Sequence, residues 1–179
     1  RSYSVTGVQT CALPIWARSA ILHCYVATSD LHGRIVFGKS REDVRKMSVD
    51  GTKMIVKRLK EAGLSGKVAY EFSPEEFTDS DPDFVIDLCK AVKEAWGPSS
   101  KKDFILNLPA TVERRPPYHY ADMIEYFCER YPYLSETAIS VHAHNDQGCA
   151  VAATEMALMA GAERVEGTLF GHGDRKSVV

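Results

Sequence analysis

The sequence predicts an α/β chain that forms part of a (β/α)8 barrel, five strands with the intervening helices. Three observations predict it. Short apolar runs rich in branched residues recur five times, segments of helical spacing separate them, and polar residues collect toward the ends of the runs.

The first run is ILHCYVAT (21–28). The segment from Ser40 to Ala62 follows, with Val44, Met47, Met54, Ile55 and Leu59 mostly three or four apart. Ser40 stands as N-cap, Asp43 lies in the first turn, and Gly63 ends the helix. The second run, KVAYEFS (67–73), begins after Gly66. Asp81 to Trp96 then carries Phe84, Val85, Leu88, Val92 and Trp96 between an Asp/Ser cluster and Gly97-Pro98, a bounded helix. DFILNLPA (103–110) is the third strand and Tyr118 to Tyr131 the third helix. AISVHAHN (138–145), the segment Cys149 to Ala160 closing on Gly161, and RVEGTLF (164–170) complete the alternation.

Single helices between successive strands give the connection length that parallel pairing needs. The nearly continuous apolar strands are those expected when both faces of a sheet are covered. Periodicity alone fits a doubly wound sheet as well as a barrel. The polar residues separate the two, because they occur at strand after strand: His23, then Glu71, Ser73 and Glu75, then Asn107 and Thr111, then His142, His144, Asn145 and Asp146. A doubly wound sheet concentrates function at one crevice, usually with a Gly-rich phosphate turn, and neither G-x-G-x-x-G nor G-x-x-x-x-G-K-[ST] occurs here.

The 179 residues are 45% hydrophobic with a formal net charge of -2, so neither nucleic acid nor an anionic membrane is an expected partner. No apolar stretch approaches the roughly 20 residues of a membrane helix. Five scattered cysteines without a Cys-x-x-Cys pair are read as reduced thiols of a cytoplasmic protein. Residues 1–16 are expected to be a non-native extension, because RSYSVTGVQTCALPI resembles translated adapter sequence. Residues 17–173 are the barrel portion, and 174–179 are expected to be a non-native end.

His142-Ala143-His144 is the sharpest single feature. Side chains two apart in a strand share a face, so both imidazoles project together and suit a borderline divalent metal. Two strand-end histidines without a ligand have the same spacing. Pro109 cannot donate to a sheet ladder and marks the end of its strand, which puts Thr111 on the following loop as a substrate contact or a loop-capping hydroxyl. Ser73-Pro74-Glu75 reads either as site or as helix start with Pro at N1. For His23 the bland alternative is burial with a satisfied hydrogen bond. His32 and His119 have no companion and are expected at the surface.

Taken together, ILHCYVATSD, YEFSPEEFTDSD, NLPATVE, SVHAHNDQGCAVAA and RVEGTLFGHGDR resemble, in the right order from about Ala20 to Gly173, signature stretches of the 2-isopropylmalate synthases. These belong to the metal-dependent Claisen-condensing barrels. H-x-H-N-D occurs across that family, homocitrate and citramalate synthases included, whereas Ser-Pro-Glu with Asn-Leu-Pro-Ala-Thr-Val-Glu is closer to the isopropylmalate branch. The resemblance implies an acyltransferase of leucine biosynthesis that joins acetyl-CoA to 3-methyl-2-oxobutanoate. It implies a divalent cation (Mg, Mn or Zn) on His142 and His144, with Glu75 and Thr111 around the 2-oxo acid. His23 corresponds to a substrate-side histidine, and Ser73 and Asn107 to pocket-lining positions. Glu75 is the candidate catalytic group by position, with the ordering of the pocket as its other role. A homodimer is expected of the full-length enzyme.

The sequence also departs from the pattern. The family's third metal ligand is an Asp in an Asp-Arg-Glu run on the first barrel strand, which does not occur here, so the resemblance implies that the five strands are roughly the last five of the barrel; agreement fails after Arg175. The chain alone is therefore expected to be inactive. The alternatives are a homocitrate or citramalate synthase, and a non-catalytic metal-binding half-barrel. A zinc hydrolase of the amidohydrolase type is disfavoured, because there the histidine pair lies on the first strand.

Overall fold

The structure is a computed structural model that describes residues 19–168. The expected foreign ends, and the last residues of RVEGTLF, lie outside the described residues. Within them, five strands form one parallel sheet in the order β1-β2-β3-β4-β5: β1 Ala20–Ala27, β2 Val68–Glu75, β3 Phe104–Ala110, β4 Ala138–Ala143 and β5 Arg164–Val165. Helices α1 Arg41–Glu61, α2 Pro82–Trp96, α3 Pro117–Arg130 and α4 Ala150–Met159 connect them. Sequential order, parallel pairing and one helix per connection make this a partial (β/α)8 barrel.

The helix starts follow the local sequence. Ser40 and Asp43 form a reciprocal capping box on α1, and the Asp81 side chain accepts from Phe84 N ahead of Pro82 at the start of α2. The buried stripe of α1 is Val44, Ser48 and Thr52, whereas Met47 and Met54 point outward at 39% and 63% exposure. The small hydroxyls fit against the sheet because each donates to a carbonyl four residues back, Ser48 to Val44 and Thr52 to Ser48. Apolar spacing alone could not show that. A helical turn at Asp30–His32 followed by a π-turn at Gly33–Phe37, closed by Gly38 at φ 61, fills a stretch that carries no periodic signal.

The helix-facing side of the sheet supplies Val26, Tyr70, Phe72, Phe104, Leu106, Leu108, Ile139 and Val141 to the core. They pack on Val85, Leu88, Val92, Ile124 and Phe127 of the helices. The strands run past both prolines. β2 includes Pro74 opposite Val26, and β3 includes Pro109 opposite His142. The β2–β3 ladder covers only Tyr70 to Phe72, so neither proline interrupts it. Among the described residues no helix is long and apolar enough to cross a membrane, and Cys24, Cys89, Cys128 and Cys149 are free thiols.

Candidate metal and substrate site

Alternation along each strand assigns every second residue to the face away from the helices, and register decides which of them meet. His23 stands opposite Glu71, Tyr25 opposite Ser73, Asn107 opposite Ser140, Pro109 opposite His142, and Ser140 opposite Arg164. This inner face is polar along its length, not only at the strand ends that sequence reasoning singled out.

Glu166, directly after β5, is its hub. Asn107 Nδ2 donates to one carboxylate oxygen at 2.9 Å and Ser140 Oγ to the other at 2.6 Å, while its backbone carbonyl accepts from His142 Nδ1 at 2.9 Å. The Arg164 guanidinium lies 3.6 Å from Glu166 and 3.5 Å from Glu71. Glu71 is 3% exposed, and its Oε1 sits 3.3 Å from His23 Nδ1 without an aligned hydrogen bond. Burial, followed by the charge of Glu166, pushes the Glu71 carboxyl up to about 7, against the pull of Arg164 and Asn107. Burial also lowers the His23 pKa, with Glu166 opposing. His23 Nε2 lies 2.7 Å from the Ser73 hydroxyl.

The two histidines of the H-x-H pair come together, their ring centroids 5.0 Å apart and nearly perpendicular. His142 Nδ1 donates to Glu166 O, and His144 Nδ1 to Thr111 O. A carbonyl only accepts, so Nδ1 carries the proton and Nε2 the lone pair on both rings. That tautomer, fixed by a backbone carbonyl behind each ring, is the arrangement of metal-ligating histidines. The pair therefore fits as two ligands of a divalent cation of the Mg, Mn or Zn class. Among the described residues no group of three His, Cys, Asp or Glu is placed to hold one.

Glu75 closes β2 opposite Ala27, by alternation on the face of Glu71 and Ser73, and its carbonyl accepts from Thr28 N at 2.9 Å and Thr28 Oγ1 at 3.0 Å. Ser-Pro-Glu is thus strand, not helix start. Its neighbour Glu76 takes the left-handed conformation, φ 59, uncommon for a residue with a Cβ. Glu76 N donates to Thr111 Oγ1 at 2.9 Å, and its carboxylate accepts from Ser29 Oγ. The Thr111 hydroxyl thus ties the β2 turn to the β3 loop, as a cap does. His32, expected to lack company, lies 3.6 Å from Glu76 and packs on Phe37.

Glu113 holds the loop that carries His144. Buried at 7% exposure, its carboxylate accepts from Gln147 N and, at 2.8 Å, from Cys149 N, and its own N–H donates to Asp146. Asn145 Oδ1 accepts from Ala150 N. Asn145 and Asp146 thus build the loop into α4. The structure groups His23 with Ser73, Asn107 with the hub behind His142, and Thr111 with His144. Sequence reasoning placed Glu71 among the polar strand-end residues without giving it a role, and it missed Glu113, Ser140, Arg164 and Glu166; only alternation within the strands signals the last three.

A family model described as HMGL-like matches residues 6–178. The chain is similar to 2-isopropylmalate synthase of Saccharomyces cerevisiae, 47% identical over 161 residues, which is 89% of this chain and 26% of that protein. It is similar to 2-isopropylmalate synthase of Rhodospirillum rubrum, 46% identical over 159 residues, 89% of this chain and 28% of that protein. The chain thus spans about a quarter of the length of these relatives. Among solved structures, the HMG-CoA lyase of Bacillus subtilis superposes with TM-score 0.58 at 22% identity, over 82% of this chain and 46% of that one. The HMG-CoA lyase of Brucella melitensis does so at 0.56 and 15%, over 83% and 48%, and both share the fold.

Proposed function

We propose that this chain, which belongs to the HMGL-like family, is the part of a 2-isopropylmalate synthase that supplies two metal ligands and one side of the substrate pocket. The whole enzyme would condense acetyl-CoA with 3-methyl-2-oxobutanoate, an acyltransferase reaction that gives 2-isopropylmalate and CoA. The observation that carries this reading is the His142–His144 pair, with each Nδ1 anchored to a carbonyl.

His142 and His144 would hold a divalent cation together with a third ligand, and the cation would supply Lewis acidity toward a 2-oxo acid. The chain's own residues do the rest. Glu166 and Thr111 fix the ring orientations through their carbonyls, and Asn107 and Ser140 keep Glu166 in place. Ser73, His23 and Asn107 line the inner face where the side chain of the 2-oxo acid would lie. Glu75 is the candidate to order the substrate or accept a proton, at the mouth of the strands.

The test is CoA release by the whole enzyme with 3-methyl-2-oxobutanoate, 2-oxoglutarate or pyruvate as acceptor. The reading expects 3-methyl-2-oxobutanoate to give the highest kcat/KM, and His144→Ala to lower kcat by at least about 100-fold, as the loss of one metal ligand does. Preference for another acceptor, or a His144→Ala variant of undiminished rate, would overturn it.

A further inference from the structure

We propose that Ser73, His23 and Glu71 form a proton relay on the inner face, in which Glu71 is the positioning residue for His23. Three independent features of the fold assemble it. Register places His23 of β1 beside Glu71 of β2, and Tyr25 beside Ser73 two residues further on. His23 reaches diagonally to the Ser73 hydroxyl, Nε2 to Oγ 2.7 Å, and turns its other nitrogen toward Glu71 Oε1 at 3.3 Å. Glu71 Oε1 is a buried acceptor without a hydrogen bond, on a side chain 3% exposed, while its Oε2 faces Arg164 at 3.5 Å.

A buried carboxylate oxygen without a donor is costly, and the His23 Nδ1–H is the donor that a small ring rotation brings into line. Such contacts are commonly loose in an unliganded site and tighten when substrate binds. With Nδ1 protonated, Nε2 accepts, and the 2.7 Å contact is then a bond donated by Ser73 O–H. This is the order of nucleophile, base and orienting carboxylate that hydroxyl-activating sites share. Here no heavy-atom bond forms or breaks. A proton arriving at Ser73 Oγ releases the hydroxyl proton to His23 Nε2, and the imidazolium so formed faces the Glu71 carboxylate. One proton enters and one is taken up.

The groups that face His23 electrostatically are Glu71, Glu166, Arg164 and His142. Burial lowers its pKa, so it waits as a neutral base. The relay also fixes what Ser73 offers a ligand. Its proton is committed to His23 and only its lone pairs remain, so it receives a donor or an acidic proton and does not bind an anion. In its use the proposal rests on the condensation reading, where an acidic substrate proton is available. The order of hydrogen bonds does not depend on that reading.

The experiment therefore reads the imidazole directly. In long-range proton–nitrogen spectra of the chain at pH 8, labelled with nitrogen-15 in histidine, His23 is assigned by its loss in His23→Asn. The expected pattern is protonated Nδ1 and unprotonated, hydrogen-bonded Nε2. Glu71→Leu should move the proton to Nε2 while the His142 and His144 patterns stay. Should Glu71→Leu fail to fold, Ser73→Ala serves instead: Nε2 then shifts to the position of an unprotonated nitrogen without a hydrogen bond, and Nδ1 stays protonated. A wild-type His23 protonated on Nε2, or a pattern unmoved by the folded variant, overturns the relay. A whole enzyme in which His23 shows this pattern yet which condenses no substrate would instead refute the condensation reading and leave the hydrogen-bond order standing.

Discussion

Replacing Glu113 by Ala removes the carboxylate that holds the His144–Cys149 loop. Two backbone donors, Gln147 N and Cys149 N, lose a charged acceptor in a residue only 7% exposed, and the Ala methyl does not replace it. A hydrogen bond to a charged group contributes about 1.5–3 kcal/mol, and two on one side chain are not fully additive, so the variant should lose roughly 2–4 kcal/mol. Glu113→Gln keeps one acceptor oxygen and turns an NH2 toward the second donor, and should fall between the two. Urea denaturation followed by circular dichroism reads the loss as a shift in midpoint at constant slope. A Glu113→Ala protein within about 0.5 kcal/mol of wild type would refute the reasoning, because it would mean that solvent satisfies those donors as well as the carboxylate does.

Three further outcomes are expected. Burial and Glu166 raise the Glu71 carboxyl to about 7 from an ordinary 4.5, so the folded state holds a proton that the unfolded chain releases. Its stabilising contribution is complete below pH 4.5 and is lost as pH rises through 7, and Glu71→Gln should flatten the stability profile over that window. An unchanged profile contradicts this. Thr111→Val deprives Glu76 N of its acceptor and should lower the denaturation midpoint by about 1–2 kcal/mol equivalent; an unshifted midpoint would show that Thr111 Oγ1 does not support the turn. Lys93, its side chain 4% exposed, pairs at 2.9 Å with Glu136, whose side chain is 43% exposed. Glu136→Ala leaves a buried ammonium with the Gly97 carbonyl and the Tyr133 ring but no counter-charge and should cost about 2 kcal/mol, whereas Lys93→Met leaves only a solvated carboxylate and should cost under about 1 kcal/mol, an order that thermal melts can reverse or uphold.

Much of the scaffold is legible in the chain before folding, for local reasons. Ser40 with Asp43, Asp81 with Pro82, and Gly63 are short-range signals, and they mark helix ends where the structure has them. The H-x-H spacing suffices to put two imidazoles on one face. What escapes a linear reading is what depends on register. Ser140, Arg164 and Glu166 look like unrelated polar residues until strand pairing lines them up behind His142. Glu113 escapes because it caps α4 from a different loop, 36 residues before Cys149. Ser48 and Thr52 escape as core because their hydroxyls are satisfied by their own helix, which no hydropathy pattern records. Pro74 misleads for the opposite reason: the strand continues through it where no β3 partner requires a donor.

The central claim is that His142 and His144 hold a divalent cation through Nε2. Anomalous diffraction at the zinc or manganese edge, from crystals of the whole enzyme grown with that metal, tests it most directly. The account predicts a peak about 2.0–2.1 Å from both Nε2 atoms for zinc, with both Nδ1 atoms still on the carbonyls of Glu166 and Thr111. A peak elsewhere, or rings turned so that Nδ1 faces the metal, would contradict it.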